Sequence, residues 1–231
     1  MDKEMKNTLE QFIEYIIHQK NYSLNTAEAY HRDISEFIRH LDKKSISSFK
    51  EVDYTIFIEF LSFLKDTQLT NTTISRKIAS LKTFFRYLSG RKLINTNPAL
   101  VLYSPKKDET LPQFLSYEEV IKIINAPSGK TWQFLRDKAI LETLYSTGIR
   151  VGELTSLQTK DINFLEEVIK VKGKGKKERI IPIGKPAMDS LVSYLERRPK
   201  ARVESLFLNK YRKSLTDRGV ERIVKKYAIK A

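Results

Sequence analysis

The sequence predicts a mainly α-helical protein with one small antiparallel β-sheet: a four-helix domain, a linker, and a second domain of mixed α+β character. Three observations carry this reading. Residues 1–100 hold four apolar stripes at helical spacing. The stretch LYSPKKDETLPQF, residues 102–114, has two prolines, several charges and no periodicity. Near residue 162 the apolar period changes from 3.6 to 2 around a glycine-containing turn. The expected divisions are residues 1–100, a linker at 101–115, and 116–231.

In the first block, Leu9, Phe12, Ile13, Ile16 and Ile17 form one stripe. Tyr30, Ile34, Phe37, Ile38 and Leu41 form the second. Phe57, Phe60, Leu61 and Leu64 form the third, and Ile74, Ile78, Leu81, Phe85 and Leu88 the fourth. The breaks NYSLNT, KKSISSFK and TQLTNTT are rich in residues whose side chains cap helix starts. The fourth helix also carries Arg76, Lys77, Lys82 and Arg86, placed here away from the apolar stripe as candidate DNA contacts. For one helix in isolation, an ordinary solvated face is the better reading of such a row.

In the second block, SYEEVIKIIN and TWQFLRDKAILETLYST read as helices, the latter ended by Gly148. IRVGELTSL reads as a short helix. Val168, Ile169 and Val171, then Ile180, Ile181 and Ile183, form two β-rich runs of a hairpin, with a third strand expected from DINFL. KPAMDSLVSYLERR places Met188, Leu191, Val192 and Leu195 on one face of a helix. TDRGVERIVKKYAIKA does the same with Val220, Ile223, Val224 and Tyr227.

Apolar residues make up 41% of the 231, enough for a core. Cysteine is absent, which excludes disulfides, thiolate metal sites and cysteine nucleophiles. No apolar run is long enough to span a membrane, and MDKEMKNTLEQF is too polar for a signal-peptide core, so a cytoplasmic location is expected. SGKT at 128–131 lacks the glycine a phosphate loop needs, since position 124 is Ile. The three histidines, His18, His31 and His40, all fall in the first block, so no metal site and no metal or organic cofactor is expected.

The net charge is +14, and it is unevenly placed. Residues 1–100 carry 15 basic and 12 acidic side chains; residues 101–231 carry 27 and 16. A surplus concentrated in one half points to a polyanion as partner. The densest part is the hairpin tip, with Lys170, Lys172, Lys174, Lys176, Lys177 and Arg179 opposed only by Glu178. Gly173 and Gly175 flank Lys174 and permit close backbone approach. A phosphate would relieve the repulsion among these cations. Lys172, Lys176, Lys177 and Arg179 are candidate DNA contacts.

LYSTGIRVGELTSL, residues 144–157, sets Arg150 among Ile149, Val151 and Leu154, directly after a helix stop. Glu153 follows one helical turn later, where a carboxylate can orient a guanidinium. Such an arginine matches phosphate oxygens through two parallel hydrogen bonds.

TGIRVGEL followed by VKGKGKKERIIPIG resembles the catalytic domain of tyrosine site-specific recombinases, the XerC/XerD-like phage integrase group. RDKAILETLYSTG is similar to the same group, and SLNTAEAYHRDISEFIRHL resembles its core-binding domain, so the resemblance spans the chain. It implies a C-shaped clamp on double-stranded DNA and metal-free strand cleavage through a 3′-phosphotyrosine. It implies partner subunits, related or identical, assembled as a tetramer on two DNA sites, with no membrane association. Arg150 matches one of the arginines that stabilise the transition state, Lys174 the lysine that protonates the 5′-oxygen, and Glu153 the acidic support. Roles in chromosome segregation and cell division, integration or cassette exchange belong to this group. The family's His-x-x-Arg box and nucleophilic tyrosine lie beyond the segment that VERIVKKYAIKA resembles. No histidine follows His40, and none of Tyr194, Tyr211 and Tyr227 matches the nucleophile. The expectation is therefore a C-terminally truncated recombinase with half an active site. The alternative is a non-catalytic, sequence-specific DNA-binding protein of recombinase descent.

Overall fold

The computed structural model describes residues 3–106, 114–173 and 178–231. They form two compact units, dividing between Leu111 and Pro112. The architecture is mostly helical with one three-stranded antiparallel sheet.

The first unit holds helices α1 (Lys3–His18), α2 (Leu24–Lys43), α3 (Tyr54–Asp66) and α4 (Asn71–Gly90). Capping residues start three of them. The side chains of Ser23, Asp53 and Thr70 accept from the backbone N–H of Thr26, Ile56 and Thr73 at 3.2, 3.0 and 3.3 Å. Each satisfies a donor that the first helical turn leaves without a partner. The four stripes meet in an aromatic core. Phe37 stacks on Phe57 at 5.1 Å and meets Phe60 edge-on at 5.0 Å, while Phe12 meets Phe84 edge-on at 5.1 Å. These rings are fully buried, and such pairs add about 0.5–1.5 kcal/mol beyond area burial.

The second unit holds α5 (Tyr117–Asn125), α6 (Trp132–Thr147), α7 (Val151–Ser156), β1 (Ile162–Asn163), β2 (Val168–Lys172), β3 (Glu178–Pro182), α8 (Lys185–Arg197) and α9 (Asp217–Lys230). A capping box opens α5: Ser116 N–H donates to Glu119 at 2.7 Å and Glu119 N–H to the Ser116 hydroxyl at 3.2 Å. The sheet order is β1-β2-β3, and β2 faces β3 with Val171 opposite Arg179 and Lys172 opposite Glu178. Ile169 and Val171 point into the core with Leu154, Leu191 and Phe207. In α8 the inward residues are Met188, Leu191 and Tyr194, whereas Val192, expected on that face, is exposed. Residue 194 is three positions from Leu191 and completes the stripe that Val192 breaks.

A buried charge network ties α6 to α9. Arg136 gives two hydrogen bonds to Asp137, at 3.0 and 2.6 Å, and a third to the Leu208 carbonyl at 2.7 Å. Asp137 also accepts from the Tyr227 hydroxyl at 2.9 Å. Removing Arg136 or Asp137 would strand its buried, charged partner, at a cost of about 3–5 kcal/mol.

Candidate active site

Gly148 takes the left-handed conformation, φ +60°, and stops α6. A non-glycine residue adopts that conformation only with strain. The chain then turns through buried Ile149 into Arg150, which stands at the start of α7. Ile149 and Leu154 anchor the backbone on either side. The Arg150 side chain itself is 82% exposed. The apolar neighbours therefore fix where the arginine emerges, and the guanidinium faces solvent.

Glu153 was expected to orient the Arg150 guanidinium. The structure gives its carboxylate a different main partner. Arg179 on β3 donates to both oxygens, at 2.8 and 2.9 Å, while the Arg150 guanidinium lies 3.5 Å away. Glu153 supports Arg150 chiefly through the main chain, accepting its N–H at 2.8 Å. The carboxylate is only 8% exposed. The Arg179 hydrogen bonds and the Arg150 N–H outweigh the effect of burial and hold its pKa at about 2. It is anionic at any working pH.

Arg179, a candidate DNA contact on the hairpin, is 43% exposed but directs its guanidinium to Glu153. Directly opposed residues on paired strands share a sheet face, and Arg179 faces buried Val171. Lys170 and Lys172 fall on the other face, and Lys170 pairs with Glu178 at 2.6 Å. Lys172 is exposed. Lys174, Lys176 and Lys177 lie outside the described residues.

The basic row of α4 also divides. Lys77 is buried rather than on a solvated face, held by Glu36 at 2.6 Å and by Asp33 at 3.5 Å. Arg76 bonds to the same Asp33, and the Ser80 hydroxyl joins at 2.8 Å. The physical reason is position: Lys77 sits three residues after Ile74 and four before Leu81, on the apolar stripe. Arg86 is exposed and Lys82 half-buried.

Sequence reasoning missed one further contact. Thr155 on α7 donates to Asp217, the first residue of α9, at 2.6 Å. Asp217 reads in sequence only as a helix-start acid. The late tyrosines are otherwise engaged. Tyr194 and Tyr227 are fully buried, and burial raises both phenol pKa values. Tyr194 donates to the Leu206 carbonyl at 3.1 Å, and Tyr227 to Asp137. Tyr211 is exposed. Among the described residues no group of three or more His, Asp or Glu side chains could hold a metal ion, and no helix is long and apolar enough to cross a membrane.

Residues 113–231 match the phage integrase family, and residues 9–92 match the phage integrase N-terminal SAM-like domain. The tyrosine recombinase XerC of Thermodesulfovibrio yellowstonii is 39% identical over 225 residues, covering 94% of this chain and 73% of that protein. The XerC of Syntrophus aciditrophicus is 34% identical, covering 96% and 77%. The XerD of Listeria monocytogenes is 35% identical, also covering 96% and 77%. The fold is shared with a lambda integrase dimer bound to a COC′ core site (TM-score 0.73, 18% identity, 97% of this chain and 80% of that chain). It is also shared with the Tn1549 transposon integrase in complex with a circular intermediate DNA (TM-score 0.72, 21% identity, 97% and 79%). With the family match over residues 113–231 and relatives 34–39% identical over nearly the whole chain, the chain belongs to the phage integrase family of tyrosine recombinases.

Proposed function

We propose that this protein acts in site-specific DNA recombination, binding double-stranded DNA with both units and presenting Arg150 to the scissile phosphate. The observation that carries this is the geometry at residues 148–153. An exposed guanidinium rises from an anchored backbone, in the half of the chain where basic residues outnumber acidic ones 27 to 16. Phosphoryl transfer needs positive charge around the non-bridging oxygens, and Arg150 supplies it from a backbone held by buried Ile149 and Leu154 and by Glu153. Lys174 is the proposed general acid for the 5′-oxygen, on the family resemblance and its place between two glycines. Arg86, Lys82 and Lys172 are the proposed phosphate contacts among the described residues, with Lys176 and Lys177 beside Lys174 in sequence. Arg76 and Lys77 are proposed to hold α2 against α4. Recombinase subunits, related or identical, are the proposed protein partners.

The nucleophile is proposed not to be any of Tyr194, Tyr211 and Tyr227. The first two buried phenols named above, Tyr194 and Tyr227, are hydrogen-bonded within the second unit, and no histidine follows His40 that could form a His-x-x-Arg box. The 231-residue chain should therefore bind DNA without forming a covalent adduct. A nicked suicide duplex traps any phosphotyrosine, and denaturing electrophoresis reveals it as a shifted band. No band is expected. A band removed by one Tyr→Phe change within the chain would identify the nucleophile here and contradict this part of the reading. Absence of duplex binding altogether would overturn the recombination reading and the non-catalytic DNA-binding alternative alike.

A further inference from the structure

We infer that Arg179 is a positioning residue: it ties the hairpin strand β3 to the helix that begins at Arg150, with Glu153 as shared acceptor, and does not itself hold DNA phosphate. The inference rests on the phosphate-binding reading of Arg150. One carboxylate collects donors from two separate elements. Its Oε1 accepts from Arg179 Nη1 at 2.8 Å; its Oε2 accepts from Arg179 Nη2 at 2.9 Å and from the Arg150 backbone N–H at 2.8 Å. The fork of parallel donors that would grip a phosphate is thus engaged by a carboxylate, although the Arg179 side chain remains 43% exposed.

The sheet register puts Arg179 on the side of the sheet that faces Glu153. Arg179 is opposite Val171, so both project toward the core face, where β2 packs on α7. Lys172 and Glu178 project the other way. Arg179 is therefore separated in role from the other hairpin cations, although it is only five residues from Lys174. Breaking the fork would loosen the start of α7 and β3 together. Lysine cannot restore it, because an ammonium is a point charge without the planar pair of donors.

The test uses the 231-residue chain with Arg179→Met, Arg179→Lys and Glu153→Gln. Amide hydrogen exchange is followed at residues 148–157 and at 178–182. We expect both segments to exchange faster in Arg179→Met and Glu153→Gln, on the order of tenfold, with α5 and α8 unchanged. Arg179→Lys should resemble Arg179→Met. Carboxyl NMR should show Glu153 titrating at about 2 in the wild type and in the ordinary carboxylate range in Arg179→Met. Duplex affinity should retain its salt dependence in Arg179→Met.

Faster exchange at 178–182 alone, a Glu153 that still titrates at about 2 in Arg179→Met, or full rescue by lysine would each overturn the inference. So would a salt slope reduced by about 0.9 in Arg179→Met, the mark of one lost phosphate contact. Glu153→Gln keeps the side-chain shape and decides the matter if Arg179→Met fails to fold. A wild-type chain that binds no duplex would instead defeat the proposed function, while the exchange and titration results would still report on the Glu153 link.

Discussion

Two carboxylates in this protein each gather a pair of basic residues, and the pairs are used differently. Asp33 in the first unit binds Arg76 and lies 3.5 Å from Lys77, and Glu36 takes Lys77 as well. Lys77 is buried there, and the cluster locks α4 onto α2. Glu153 in the second unit also faces two arginines, but it takes the Arg179 side chain closely and Arg150 chiefly through its main chain, the Arg150 guanidinium lying 3.5 Å away. The Arg150 side chain stays 82% exposed. Clusters of acid and base thus close one site and leave the other able to accept an anion. Whether a cation is available depends on which of its atoms the neighbouring carboxylate engages.

The largest expected difference comes from removing the acids. Asp33→Ala leaves Lys77 buried beside a single remaining acid, and should destabilise the first unit by about 3–5 kcal/mol, read as a lower urea midpoint. If the loss were under about 1 kcal/mol, the cluster would be an ordinary surface pair and the contrast would fail.

The second expectation concerns pH. Glu153 is anionic down to about 2 in the folded chain and titrates in the usual carboxylate range when unfolded. Because its folded pKa is depressed, its contribution to stability is fully present above the unfolded value, near 4.5, and is lost as pH falls toward about 2. Glu153→Gln lacks that contribution. The gap in melting temperature between wild type and Glu153→Gln should therefore be largest above pH 5 and narrow steadily below it. A gap independent of pH would show that the carboxylate's charge is not what joins α7 to β3.

Much of the fold was legible because apolar spacing alone specifies it: four helical stripes, a helix stop at Gly148, and a hairpin where the period became 2. Two placements were legible but were read otherwise. Lys77 occupies a stripe position between Ile74 and Leu81, and alternation puts Arg179 in phase with Val171 and Ile181 rather than with the outward lysines. The partners were not legible. Arg76 finds Asp33 across 43 residues, and Arg179 finds Glu153 across 26. Local periodicity says nothing about which distant carboxylate a guanidinium will meet. Thr155 and Asp217, 62 residues apart, show the same limit.

The smallest expected effect is on Lys174, which lies outside the described residues. It shares its stretch of sequence with five other cations. Lys174→Ala should weaken duplex binding by less than about threefold at moderate salt, since neighbouring charges maintain the local potential. A loss of a hundredfold by fluorescence anisotropy would make Lys174 a principal binding residue rather than a proton donor.

The contrast is that the Arg150 guanidinium is open to phosphate, whereas Lys77 is buried and the parallel donors of Arg179 are engaged by Glu153. It is tested most directly by salt titration of duplex binding, comparing the wild type with Arg150→Ala. Each neutralised phosphate contributes about 0.9 to the slope of log affinity against log salt. Arg150→Ala should reduce that slope by about 0.9, with an unchanged melting temperature because the side chain it removes is exposed. An Arg150→Ala chain with the wild-type slope and wild-type affinity would contradict the account.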